Sequence, residues 1–165
     1  MAERVPASIT IGGMIDAETF AELAEIIAGE SLLVEWDGDP FEPHHRAIGE
    51  QLRLYAHEVA WGRFEFLESY CITQGLPFIR WSGGNSSLWG PERVVFRGTD
   101  EPERYAADEE DDIVLCRSLV RPLGSYAAIL AYFDAAEFEP PALVVAGDPD
   151  PLPPRSAPDG AAQGG

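Results

Sequence analysis

The residues able to do acid–base or metal chemistry in this chain of 165 residues are three histidines and a large surplus of carboxylates. His44, His45 and His57 lie near Asp37, Asp39, Glu42 and Glu58 in sequence, and neutral imidazoles with carboxylates suit zinc or iron. The spacing argues for a solvated loop instead. HHRAIGE is not HExxH, and adjacent histidines in a loop need not converge on one ion. Asp37-x-Asp39 and Asp108–Asp112 are rich in oxygen ligands, yet neither has the ligand spacing and central glycine of a calcium loop.

Other constellations carry less. Glu58 and Glu65 lie near aromatic residues that could raise a carboxyl pKa, but so acidic a chain supplies many accidental pairs. Gly12-Gly13 precedes a helix without GxGxxG or GxxxxGK[ST], and the absence of lysine excludes a Walker lysine. The serines of Gly84-Asn85-Ser86-Ser87 stand in no GxSxG elbow. No catalytic residue, metal site or cofactor is therefore assigned.

What stands out is the distribution of charge. With 29 carboxylates, 11 arginines and no lysine the chain carries a formal charge of -18, which repels nucleic acid and anionic lipid. Thr99–Asp112 holds eight carboxylates (Asp100, Glu101, Glu103, Asp108, Glu109, Glu110, Asp111 and Asp112) against the single Arg104. A second block, Asp16–Glu42, holds nine (Asp16, Glu18, Glu22, Glu25, Glu30, Glu35, Asp37, Asp39 and Glu42) and no arginine. Between them Pro43–Gly98 is charge-balanced and contains Trp61 and Trp89, each beside a glycine at an element edge, where an indole can face a partner or cover the end of a core.

The positioning elements follow from periodicity. Met1–Ser8 is expected to be frayed before a short strand at Ile9–Ile11. Asp16 should cap a helix ending at Gly29, with Phe20, Leu23, Ala24 and Ile27 inward and Glu18, Glu22 and Glu25 outward. Strands are expected at Ser31–Trp36, Gln51–Ala60, Leu76–Trp81, Pro91–Arg97, Ile113–Val120 and Leu143–Ala146. Helices are expected at Arg63–Gln74 and Ser125–Ala136, and loops at Asp37–Gly49, Ser82–Gly90 and Thr99–Asp112, the last with room for a helical turn around Tyr105–Glu109. Cys71 and Cys116 sit in apolar segments and suggest two buried thiols.

The resulting fold class is α+β: one domain over residues 1–147, with a mixed or antiparallel sheet, about three helices and a ferredoxin-like order in its first part. Residues 148–165, dominated by proline, glycine and alanine, suggest a disordered tail. Met1–Gly12 has no basic, apolar leader, and no apolar run approaches the roughly 20 residues that cross a bilayer, so a cytoplasmic location without membrane contact is expected.

Two functional expectations result. The first is an acidic protein-interaction module for a basic partner. Its stronger form mimics nucleic acid and inhibits a DNA- or RNA-binding protein, as a phage or plasmid counter-defence factor would. Its interaction residues are Asp16, Glu18, Glu22, Glu25, Asp37, Asp39, Glu42, Asp100, Glu101, Glu103, Asp108–Asp112, Trp61 and Trp89, and mimicry asks that the two acidic blocks share one face. The alternative is a small enzyme using carboxylate acid–base chemistry or a metal-dependent hydrolase near the histidine loop.

Overall fold

The computed structural model describes residues 3–85 and 87–149. The first strand, β1 (Arg4–Ile11), starts well inside the segment expected to fray, because Val5, Ala7, Ile9 and Ile11 alternate inward and Pro6, Ser8 and Thr10 alternate outward. After Gly12 the chain forms β2 (Gly13–Ile15) and then α1 (Ala17–Gly29). Gly12 is required by close approach, since a Cβ there would lie 1.8 Å from the Pro141 carbonyl oxygen. Asp16 caps α1 by accepting the Thr19 amide at 2.7 Å, and the helix buries Leu23, Ala24 and Ile27.

The strand expected at Ser31–Trp36 does not form. Ser31 turns into the left-handed region at φ 57, and Leu33 makes only isolated bridges to Pro40 and Tyr55. Its apolar character serves a loop that drops Leu32 into the core. A short 3-10 turn at Pro43–His45 precedes β3 (Leu52–Ala60), α2 (Glu65–Gln74) and β4 (Phe78–Ser82). Next come β5 (Glu92–Phe96), β6 (Glu103–Ala106), α3 (Arg117–Leu123), α4 (Tyr126–Ala136) and β7 (Leu143–Val145).

Five strands form one antiparallel sheet in the order β3-β1-β4-β5-β6, and β2 pairs in parallel with β7 in a separate pair. The α+β class stands, with four helices among the described residues. The ferredoxin-like order depended on Ser31–Trp36 being a strand, and the sheet strands and helices instead run β1-α1-β3-α2-β4-β5. Two other segments also differ. Glu103–Ala106 becomes an edge strand because Tyr105 can bury against Ile79 and Val95. Ile113 makes a bridge to Ala107, and the rest of the expected Ile113–Val120 strand gives way to α3.

The two sheet faces are unequally covered. On one side Ala7, Ile9, Ile11, Leu54, Phe78 and Phe96 pack with Leu23 and Ile27 of α1 and Leu67 and Cys71 of α2 into the main core. On the other, Tyr132, Phe133 and Ala136 of α4 cover Ile79, Val95 and Tyr105, which belong to β4, β5 and β6. Among the described residues no helix lies over the β3-β1 half of this second face. Cys71 is buried but Cys116 is exposed, and both are free thiols. Asp148, the first residue of the expected 148–165 tail, accepts from Arg46 at 2.5 and 2.9 Å; residues 150–165 lie outside the described residues.

Candidate functional site: a groove on the open half of the sheet

Strand register builds the site. Tyr55, Ser8, Trp81 and Arg93 are successive cross-strand neighbours across β3, β1, β4 and β5, and Arg53, Thr10, Ile79 and Val95 form the next row. Both rows point to the face opposite the main core. The small hydroxyl residues on β1 lie between larger side chains on either side, so the sheet surface sinks into a trough along β1. The resulting groove has a volume of about 650 Å³.

One end is walled by aromatic rings. Trp36, from the loop after α1, lies 5.0 Å from Tyr55, 5.5 Å from His57 and 6.1 Å from Trp81 between ring centroids, perpendicular to Trp81. A bulge helps to aim His57: Val5 pairs with Val59 but Ala7 with Ala56, so His57 and Glu58 together oppose Pro6. Pro6 has no amide hydrogen to give to a regular ladder, which suits it to such a position. His57 Nε2 meets the Trp36 carbonyl oxygen and the Asp37 carboxylate, the latter at 3.2 Å.

The other wall is the acidic loop at Asp108–Asp112, together with Glu139. The Trp81 indole N–H donates to the Asp108 carbonyl at 2.9 Å, and the Gly84 amide donates to Glu109 at 3.2 Å. Within the loop, Asp108 Oδ1 accepts the Glu110 and Asp112 amides, both at 2.9 Å. Arg93 grips Asp111 with two bonds and donates to the Ala136 carbonyl at 3.0 Å, tying the loop to the end of α4. Burial raises the Asp111 pKa, and the bonds and charge of Arg93 oppose that rise. Glu109, Glu110, Asp111 and Glu139 thus line a groove that also contains Arg53 and Arg93.

The sequence-nominated residues are divided among several places. Asp16 is a helix cap, and Glu18, Glu22 and Glu25 lie exposed on α1, Glu22 accepting from the Tyr70 hydroxyl at 2.7 Å. Since α1 packs on the sheet face opposite the Asp108–Asp112 loop, its carboxylates do not share a face with that loop, whereas Asp37 of the same block lies on the loop's side. Asp37 is at the groove's aromatic end, Asp39 is exposed nearby, and Glu42 pairs with His44 at 3.3 Å. Asp100 and Glu101 are exposed in the turn before β6, and Glu103 pairs with Arg97 at 3.4 Å on that edge strand. The Tyr105 hydroxyl bond and then Arg97 lower the Glu103 pKa.

Trp61 and Trp89, distant in sequence, meet with ring centroids 5.8 Å apart. They border a shallow cleft of about 500 Å³ with Arg63, Glu65, Glu92 and Arg104. Beneath it Arg80, only 1% exposed, binds Glu68 and Glu92, each at 3.2 Å, and the Ser82 hydroxyl at 2.9 Å. The histidines do not converge: His45 accepts the Glu42 amide at 3.0 Å while His57 is engaged with Trp36 and Asp37. Among the described residues no three His, Cys, Asp or Glu side chains are grouped to hold a metal ion.

Sequence reasoning missed Ser8, Thr10, Tyr55, Trp81 and Arg93 because they are brought together by register across four strands. Strand alternation, which turns Ser8 and Thr10 away from Ile9 and Ile11, was the available signal. No helix among the described residues is long and apolar enough to cross a membrane. No protein-family model, curated protein or solved structure matches this chain, so its functional reading rests on these residues and their geometry.

Proposed function

We propose that the protein is an acidic recognition module whose open-sheet groove receives an arginine- or lysine-bearing segment of a basic partner protein. The observation carrying this reading is the junction of an aromatic end, Trp36, Tyr55 and Trp81, with the carboxylates Glu109, Glu110 and Glu139 in one groove. Aromatic faces attract cations, with guanidinium groups favoured, and carboxylates pair with the same groups. Ser8 and Thr10 add hydroxyls to the floor that can bond a peptide backbone. The overall charge of -18 speeds the approach of a basic partner and makes it sensitive to salt.

This reading keeps the interaction module and narrows its surface. Nucleic-acid mimicry asks for a continuous strip of carboxylates, and that form draws no support from α1 carboxylates on the side of the sheet opposite the Asp108–Asp112 loop. The enzyme alternative, carboxylate acid–base chemistry or a metal-dependent hydrolase near the histidine loop, has a candidate acid–base element in the Asp37–His57 pair. Asp37 is 95% exposed, so the pair has no desolvated setting of the kind that tunes a catalytic base.

A fluorescence titration with nona-arginine, nona-lysine and an uncharged glycine-serine peptide tests the proposal. Both basic peptides should change the tryptophan emission saturably, and added salt should weaken their binding. Glu109→Gln/Glu110→Gln/Glu139→Gln should weaken nona-arginine binding at least about tenfold, the scale of one or two lost charge pairs. Glu18→Gln/Glu22→Gln/Glu25→Gln on α1 should change it much less. Equal losses in the two folded variants would reduce the effect to overall charge and overturn the groove assignment.

A further inference from the structure

The α3–α4 segment carries an apolar surface that the described residues leave uncovered. Among the described residues α3 buries no side chain and α4 buries only Ala136. Tyr132 and Phe133 face the sheet, whereas Tyr126 is 75%, Leu130 45% and Leu119 42% exposed. Tyr126 and Leu130 are one helical turn apart, and Ala127 and Ala131 beside them leave room for a close neighbour. A helix as apolar as YAAILAYFDAA, with Asp134 its only charge, is normally enclosed by protein.

Charge identifies the occupant. Residues 113–136 contain Arg117, Arg121 and Asp134, a net of +1, so the rest of the chain carries -19 of the total -18. Two copies approaching through either acidic block set carboxylates against carboxylates, whereas this segment presents apolar side chains with charges of both signs. No ion pair among the described residues uses Arg117, Arg121 or Asp134. Arginines on one helix and a carboxylate on the next make a patch that can complement itself across a two-fold axis, with Asp134 of each copy meeting the arginines of the other. An anionic membrane would be repelled by the rest of the molecule, and a basic protein drawn to its acidic surfaces.

We propose that this surface is covered by the same surface of a second copy, forming a two-fold dimer through α3 and α4. Sedimentation equilibrium of the full chain, from low micromolar to submillimolar concentration, should show reversible dimerisation. Salt should strengthen it by screening the repulsion between like-charged chains, the opposite of its effect on a basic peptide. Leu130→Asp should weaken it at least about thirtyfold, roughly the loss of a central apolar anchor.

Arg117→Glu/Arg121→Glu and Asp134→Arg should each weaken the dimer, and combining all three changes should restore it in part. Circular dichroism confirms that each variant is folded. A protein that remains monomeric at the highest concentration, or a dimer indifferent to Leu130→Asp, would overturn the proposal. So would failure of the combined charge reversal to recover any association.

Discussion

Arg93 and Asp111 are joined through two parallel hydrogen bonds, Nε to Oδ1 at 3.2 Å and Nη2 to Oδ2 at 3.1 Å. Asp111 occupies the left-handed region at φ 64, where aspartate and asparagine are tolerated better than most residues. The pair holds the acidic wall of the groove against the sheet. Asp111→Asn keeps the backbone preference but removes the charge, and should cost about 1–2 kcal/mol, discounted because the carboxylate is partly exposed. Hydrogen exchange should quicken at the Glu110 and Asp112 amides. Unchanged exchange there would mean that Asp108 holds the loop by itself.

Arg80 should be the most sensitive charged position in the fold. Its guanidinium lies between Glu68 and Glu92 under the main core, and Glu68 also accepts the Phe64 amide at 2.6 Å. Burial raises the Glu68 pKa, while the charge and hydrogen bond of Arg80 act against that rise. Arg80→Met should cost about 3–5 kcal/mol in urea denaturation by leaving a buried carboxylate without its partner. Adding Glu68→Gln, which retains an oxygen for Phe64, should recover part of the loss. A double variant no more stable than Arg80→Met would trace the cost to packing instead.

Glu30 links α1 to α2 and sets a pH dependence. One carboxylate oxygen accepts the Phe66 amide at 3.1 Å, whereas Oε2 is buried without a partner. Desolvation raises the Glu30 pKa, the Phe66 and Leu67 amides lower it, and Glu68 and Glu65 add to the rise. A raised folded pKa means that the native state holds the proton more tightly. The Glu30 contribution is therefore present below its ordinary value of 4.5 and lost as pH rises through the folded pKa.

Glu30→Gln should accordingly stabilise the protein at neutral pH by less than about 1 kcal/mol, after allowance for solvent screening. The advantage should shrink toward zero as the pH falls below the ordinary glutamate range. Thermal melts of both proteins across that range check the sign, and an advantage that grows on acidification would contradict it.

The two thiols should differ sharply in reactivity. Burial, followed by the charges of Glu68 and Glu30, pushes the Cys71 pKa up to about 12. Cys116 is exposed, and its bond with the Ser118 hydroxyl at 3.0 Å is the leading cause of a lowered pKa. One equivalent of an aromatic disulfide reagent should react quickly with the native protein at Cys116, and a second only on unfolding. Rapid loss of both thiols under native conditions would show that the core around Cys71 opens readily.

The sequence by itself determined the elements whose signals are local. Asp16 and Ser125 cap α1 and α4 because their side-chain oxygens reach amides three residues ahead, and Gly75 closes α2 in the left-handed region. The same spacing marked Leu23, Ala24 and Ile27, which enter the core. Composition likewise determined the charge surplus and its two blocks.

Only the tertiary structure decided where those blocks and the site residues lie. Leu32 and Leu33 resemble a strand locally, but the turn at Ser31 and the bridge from Leu33 back to Pro40 limit pairing with the open edge of β3 to the single bridge between Leu33 and Tyr55. Tyr105 lies in so acidic a run that a strand was not expected, yet burial beside Ile79 and Val95 makes it part of β6. Register alone aligned Ser8 with Tyr55 and Trp81, and packing on opposite sheet faces separated the α1 carboxylates from Asp108–Asp112. Those outcomes depend on pairing between distant segments, whose energies no local spacing contains.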